Sequence, residues 1–243
     1  MAQKPACYVF GAGQPPPKPP KITARDLVVA ADGGYAYIRK AGIRADALIG
    51  DFDSLSAVPD MKKADPIERR LPKKKDQTDL QMRRLSKEKD QTGLIVMRLP
   101  KEKDQTDLLA ALQYGLERGF TRFHIYGGTG GRLDHTLANI QCLGYLVSRG
   151  ARGYLHDGAT VVTAMEGEIR LAARHRGLIS VFALGGTAEG VWLSGLRYEL
   201  KNARLSCDYP LGVSNEFTGL PVCIKAESGI LLIVYPSGTR ELE

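Results

Sequence analysis

The chain has 243 residues, 43% of them hydrophobic, enough to bury one good core or two small ones and too apolar for a disordered chain. Its four cysteines, Cys7, Cys142, Cys207 and Cys223, are scattered without a C-x-x-C pair, which argues against a cysteine zinc site and a dense disulfide framework; Met1 to Pro20 holds no apolar stretch before a cleavage-like site, and the longest apolar run, Ile230 to Tyr235, cannot span a bilayer, so a soluble cytoplasmic protein is expected. The net charge of +7 is confined to Lys62 to Lys103, where fourteen Lys or Arg face seven Asp or Glu with no aromatic residue for bases to stack on, which weakens a nucleic-acid-binding reading.

In chain order, Cys7 to Phe10 reads as a buried strand, Pro15 to Pro20 as an extended loop and Asp26 to Ala31 as a second strand. Asp32-Gly33-Gly34 then turns the chain into a helix over Tyr35 to Ala41, ended by Gly42. A third strand, Ala47 to Gly50, carries Asp51 and Asp53 just beyond its end. Leu94 to Met97 reads as another strand, Asp107 to Arg118 as an amphipathic helix closed by Gly119, Arg122 to Tyr126 as a strand running into glycines, and Asp134 to Ser148 as a helix. Strands alternating with helices predict a mostly parallel sheet, whose ligands gather at the carboxyl ends of the strands. From Arg152 onward the pattern becomes all-β: Val161 to Met165, Leu178 to Leu184, Gly190 to Leu193, Ala203 to Ser206, Val222 to Lys225 and Ile230 to Tyr235, which predicts a sandwich or barrel. The expected division is an α/β domain over 1–149 and a β domain over 150–243.

Between the two halves of the α/β pattern lies a repeat with a fourteen-residue period, in which Arg-Leu leads to Lys-Asp-Gln-Thr at 70–79, 84–93 and 98–107. Three copies of so short a unit do not make a solenoid, so it reads as a tandem insertion near 76–103. The third copy has the best flanks, with a strand before it and a helix after. The first is its rival, because Pro66 to Leu71 could be extended and Asp79 keeps the terminal carboxylate; the middle copy has Gly93 there.

Asp51 and Asp53 straddle Phe52, so in extended backbone both carboxylates point one way while the ring points into the core, an arrangement that suits a cation or a solvated turn. Asp104-Gln105-Thr106-Asp107 reads as a helix start, with Thr106 or Asp104 as cap, and equally as an acidic ligand; a carboxylate there, beside Asp51 and Asp53, could bind Mg2+, which takes about six oxygens. Gly127 to Gly131 lacks the ending of a P-loop. It leads directly into Arg132, Asp134 and His135 at a helix start, where N–H groups and a guanidinium can meet phosphate.

Taken together, Ala31-Asp32-Gly33-Gly34, Gly50 to Ser54, Lys103 to Asp107 and Gly130 to His135, in that order, resemble the thiamine pyrophosphokinase family, as do Ser194 to Leu200 and Gly212 to Phe217 in the second half. The resemblance implies a nucleotide-binding α/β domain, a thiamine-binding β-sandwich, and a homodimer with active sites between subunits. It implies transfer of pyrophosphate from ATP to the hydroxyl of thiamine, giving thiamine diphosphate and AMP. By that similarity Asp32, Asp51, Asp53 and Asp107 (alternatively Asp79) surround Mg2+, and Gly33, Gln105, Thr106, Gly130, Arg132, Asp134 and His135 serve ATP, with Asp51, Asp53, Asp107 and Arg132 at the chemistry. Tyr198, Ser214 and Asn215 hold thiamine, the Tyr198 ring coming from the partner subunit. The triplicated unit departs from the family. The alternatives are a nucleotide-dependent phosphotransferase or hydrolase with another substrate, a protein of this fold inactivated by its insertion, and a non-catalytic basic nucleic-acid-binding protein.

Overall fold

The computed structural model describes residues 4–52, 87–89, 93–100 and 102–242. Asp53, Asp79, the stretch Pro66 to Leu71 and the first copy of the repeat lie outside the described residues, as does the second copy apart from 87–89 and 93.

The first part of the chain runs β1 (Cys7–Phe10), β2 (Leu27–Ala31), α1 (Gly34–Lys40), β3 (Ala47–Gly50), β4 (Lys87–Lys89), β5 (Ile95–Arg98), α2 (Asp107–Glu117), β6 (Arg122–Tyr126), α3 (Leu133–Val147) and β7 (Arg152–Asp157). Side by side the strands stand β4-β5-β3-β2-β1-β6-β7. All are parallel except β4, which pairs antiparallel with β5 at the edge and falls within the expected insertion. Strands this short and continuously apolar suit a sheet covered on both faces. Alternate residues accordingly part company. Val9, Val29, Ile49 and Phe123 pack with Leu112 of α2 and Leu143 of α3, while Tyr8, Phe10, Val28 and Leu48 pack with Ile38 of α1. Fully burying one such side chain contributes about 2 kcal/mol. Because β1 has β2 on one side and β6 on the other, the crossovers leave it in opposite directions, which opens a crevice at the carboxyl ends of these strands.

The rest is β-rich: β8 (Thr160–Met165), β9 (Glu168–Leu171), β10 (Leu178–Ser194), β11 (Leu200–Ser206), β12 (Asn215–Glu216), β13 (Val222–Lys225), β14 (Ser228–Pro236) and β15 (Glu241–Leu242). An antiparallel hairpin joins β7 to β8, and β14 and β10 follow, so the sheet is mixed and passes through residue 150 without a break. The expected separate strands Leu178 to Leu184 and Gly190 to Leu193 are one strand of 17 residues. Gly185 and Gly190 both have positive φ, and the register shifts between Leu184 and Glu189. The Gly-Gly pair therefore bends a strand instead of ending it: the first half of β10 pairs with β14, the second with β11 and β13. Among the described residues no helix is long and apolar enough to cross a membrane.

Candidate active site

Two glycine loops meet at the crevice. β1 runs into Gly11-Ala12-Gly13 and β6 into Gly127 to Gly131, and their backbones are joined by N–H donation from Gly13 to the Gly127 carbonyl at 2.8 Å and from Gln14 to the Thr129 carbonyl at 2.9 Å. A Cβ at Gly13 would stand 2.1 Å from the Thr129 oxygen and one at Gly127 2.4 Å from the Gly11 oxygen, so only glycine permits this approach. Buried Asn139 of α3 donates to the Gly128 carbonyl at 2.8 Å and anchors the loop from below. The Gly11-x-Gly13 loop is absent from the expected site; its signal was a Gly-x-Gly directly after a buried strand. Together the loops wall a cleft of about 580 Å³ that also takes in Asp32, Asp51, Lys103 and Asp107.

The acidic side of the cleft comes from three separate segments. At the end of β2, Asp32 has φ 45° and donates its N–H to the Ile49 carbonyl at 2.8 Å, which ties it to the end of β3. The absence of a side chain at Gly50 keeps that approach close, since a Cβ there would lie 3.1 Å from the Asp32 Cα. Asp51 follows β3. Asp107 is the first residue of α2, whose cap is Thr106, its hydroxyl accepting from Leu109 N–H at 3.2 Å. One carboxylate oxygen from each of Asp32, Asp51 and Asp107 lies within 4.8 Å of the others. Among the described residues, the repeat reaches this cluster through Asp107 of its third copy.

Charges so close repel by a few kcal/mol per pair at a protein's effective dielectric. Lys103, which stands in the acidic motif but not among the expected site residues, answers that repulsion: its Nζ donates to Asp51 Oδ2 at 3.1 Å and to Asp107 Oδ1 at 2.6 Å. Burial alone lowers the Lys103 ammonium, but these two carboxylates hold it above its usual range. Asp107 is pushed up, first by burial and further by Asp51 and Asp32, with Lys103 offsetting part of the rise. Hard oxygen donors at this spacing fit a divalent cation such as Mg2+.

Phe52 corrects one expectation. Its φ of 62° is left-handed, not extended, so the chain turns after Asp51; the ring is nonetheless buried, with the Arg98 guanidinium 5.0 Å from its centroid. Among the described residues four non-glycine positions have positive φ, and three of them, Asp32, Phe52 and Ser214, lie in the motifs singled out above. Strain of this kind concentrates at functional sites.

Across the cleft, Arg132 stands at the residue before α3 and is exposed, as are Asp134 and His135. The guanidinium pairs with Asp134 at 2.5 and 3.1 Å and holds that carboxyl below its usual range. Arg132, His135 and Thr106 line the cleft; Gly33 opens α1 beside Asp32, half-buried Gln105 precedes the Thr106 cap, and Gly130 sits in the glycine loop at φ 77°. Tyr198, Ser214 and Asn215 do not line this cleft. They form a second cluster: Asn215 Oδ1 accepts from Tyr198 N–H at 3.0 Å and its Nδ2 donates to the Tyr198 carbonyl at 2.6 Å, while Ser214 N–H donates to Ser180 Oγ at 3.0 Å. Buried Asn215 thus holds the Tyr198 backbone, and Tyr198 stands 57% exposed.

Comparison with known proteins points to one family. The family model described as "Thiamin pyrophosphokinase, catalytic domain" matches residues 83–155, and "Thiamin pyrophosphokinase, vitamin B1 binding domain" matches 168–231; together they cover more than half of the chain. Thiamine pyrophosphokinase of Bacillus subtilis (strain 168) is 29% identical over 212 residues, 86% of each chain. A crystal structure of thiamine pyrophosphokinase from Bacillus subtilis superposes with a TM-score of 0.73 at 26% identity, covering 96% of this chain and 99% of that one. Yeast thiamin pyrophosphokinase shares the fold, with a TM-score of 0.63 at 16% identity over 97% of this chain and 87% of its own.

Proposed function

Because the chain belongs to the thiamin pyrophosphokinase family and is a thiamine diphosphokinase, we propose that the cleft between the glycine loops and the acidic cluster is where pyrophosphate passes from ATP to thiamine. The observation that carries this reading is the convergence of Asp32, Asp51 and Asp107 within 4.8 Å beside the paired loops. Those three carboxylates, with Asp53, would hold Mg2+, which supplies charge neutralisation on the transferred group. The N–H groups of the glycine loop and the start of α3 bind phosphate oxygens, and the Arg132 guanidinium stabilises charge on the pyrophosphoryl group as the thiamine hydroxyl attacks the β-phosphorus and AMP leaves. Thr106 caps α2 and so sets the direction of Asp107; Gln105, Gly33, Gly130, Asp134 and His135 complete the nucleotide wall.

Thiamine is held by the second cluster. Tyr198 offers an exposed ring on which the vitamin stacks, Asn215 positions it, and Ser214 lies beside it at strained backbone. Since none of these residues lines the cleft, the chain acts as a homodimer in which one subunit's Tyr198 faces its partner's cleft, and sedimentation velocity checks that state. The nucleotide part is 1–149, the thiamine part 150–243 with a sandwich packing of its strands, and the setting is the cytoplasm. Purified protein with Mg2+ and ATP should release AMP only after thiamine is added; AMP formation indifferent to thiamine would return the site to a hydrolase or to another acceptor.

A further inference from the structure

We propose that Lys103 is a tethered cation that keeps the acidic cluster assembled in the absence of a divalent ion and gives up its place when the ion is bound. The inference rests on the reading of Asp32, Asp51 and Asp107 as the ion's ligands.

Three observations lead to it. The Nζ lies 3.1 Å from Asp51 and 2.6 Å from Asp107, two of the three carboxylates whose oxygens gather within 4.8 Å, and only 14% of the lysine side chain is exposed. It is therefore lodged in the cluster, unlike a solvated surface pair. Secondly, its ammonium lies against Asp107, the first residue of α2, at the positive end of the helix dipole, where an ammonium is disfavoured unless carboxylates hold it. Thirdly, an ammonium and a divalent ion on the same carboxylates would stand a few Å apart with like charge, so occupancy by one opposes the other. Residue 103 precedes α2, so its four-carbon stem can swing without unwinding a turn. Lys103 also lines the cleft shared by Gly127, Gly128 and Arg132, where a polyphosphate offers the displaced ammonium a new anionic partner. The consequence is an order of loading: the ion binds weakly to the empty protein and well together with a polyphosphate.

Isothermal titration calorimetry with Mn2+ alone, on the nucleotide-free full chain, tests this. Lys103→Met should bind Mn2+ about ten-fold or more tightly than the unaltered protein. Its melting temperature in EDTA should fall below that of the unaltered protein and recover on adding Mn2+. A lysine with a merely structural role would leave ion affinity unchanged or weaker, and that result overturns the proposal while leaving the carboxylate site intact. If neither protein binds Mn2+ with or without ATP, the ion-site reading fails and the proposal fails with it. Should the variant not fold, acylation of the unaltered protein mapped by mass spectrometry decides: Lys103 should react slowly in EDTA and several-fold faster with saturating Mn2+, and a rate that ignores Mn2+ rejects the tethered cation.

Discussion

Asp107 carries two loads at one position. It opens α2, where a carboxylate is favoured by the helix dipole, and it closes the acidic cluster, where two further carboxylates and burial push its own ionisation up. Asp107→Asn keeps the size and the helix start but removes a hard ligand, so turnover with thiamine should fall by about 100-fold or more, as loss of several kcal/mol of charge stabilisation implies. Circular dichroism should remain that of the parent. Asp79→Asn should leave most of the activity; the reverse pattern would move the working site to the first copy. Motif chemistry made Asp32, Asp51 and Asp107 legible as acidic candidates. Lys103 was not legible, because a lysine in a segment full of lysines has no distinguishing mark until the fold sets it between carboxylates.

At the scale of elements, most strands and helices stand where apolar runs and glycine stops place them. Gly42 and Gly119 follow α1 and α2 at positive φ, as the capping pattern predicts. The misses have physical causes. β7 has a weak apolar run and owes its strand to parallel pairing with β6, and the middle of β10 reads as a turn because Gly185-Gly186 does so in isolation. The β6/β7 pairing also creates a feature that no local pattern contains. His124 Nδ1 and His156 Nε2 lie 2.9 Å apart, with His124 stacked between Tyr8 and Tyr154 and His156 on Tyr126. Burial lowers them to about 3 and about 4, with the neighbouring histidine lowering His124 further. Both are neutral in the fold and protonate in the unfolded chain near pH 6.5, so this contribution is complete above pH 6.5 and is lost as pH falls toward 4. Urea unfolding from pH 7 to 4 should lose stability steeply over that window. In His156→Gln the slope should flatten by up to about 1.4 kcal/mol per pH unit, the effect of one fewer proton taken up on unfolding.

For the whole molecule, one mixed sheet carries both the α/β part and the β-rich part, and in sequence the repeat at 70–107 falls between β3 and α2. Loop closure costs only about 0.6 kcal/mol per doubling of length, so a surplus copy is inexpensive to keep and to remove. Deleting Pro72 to Leu85, one full period that includes Asp79, should change unfolding free energy by less than about 1 kcal/mol and preserve thiamine-dependent AMP release; loss of activity in a folded deletion would show that the first copy contributes. Pro72 to Leu85 carries five Lys or Arg against two Asp, so the deletion lowers the net charge of +7 by three.

The sequence by itself determined most of the strands and helices, and which carboxylates and glycines follow them, because those choices depend on neighbours a few residues away. Only the tertiary structure decided that the third repeat's aspartate joins Asp32 and Asp51, that Lys103 stands between two of them, and that β10 is one bent strand. These outcomes depend on parallel register and on crossovers joining residues up to 75 positions apart, and no local pattern encodes a distance of that kind.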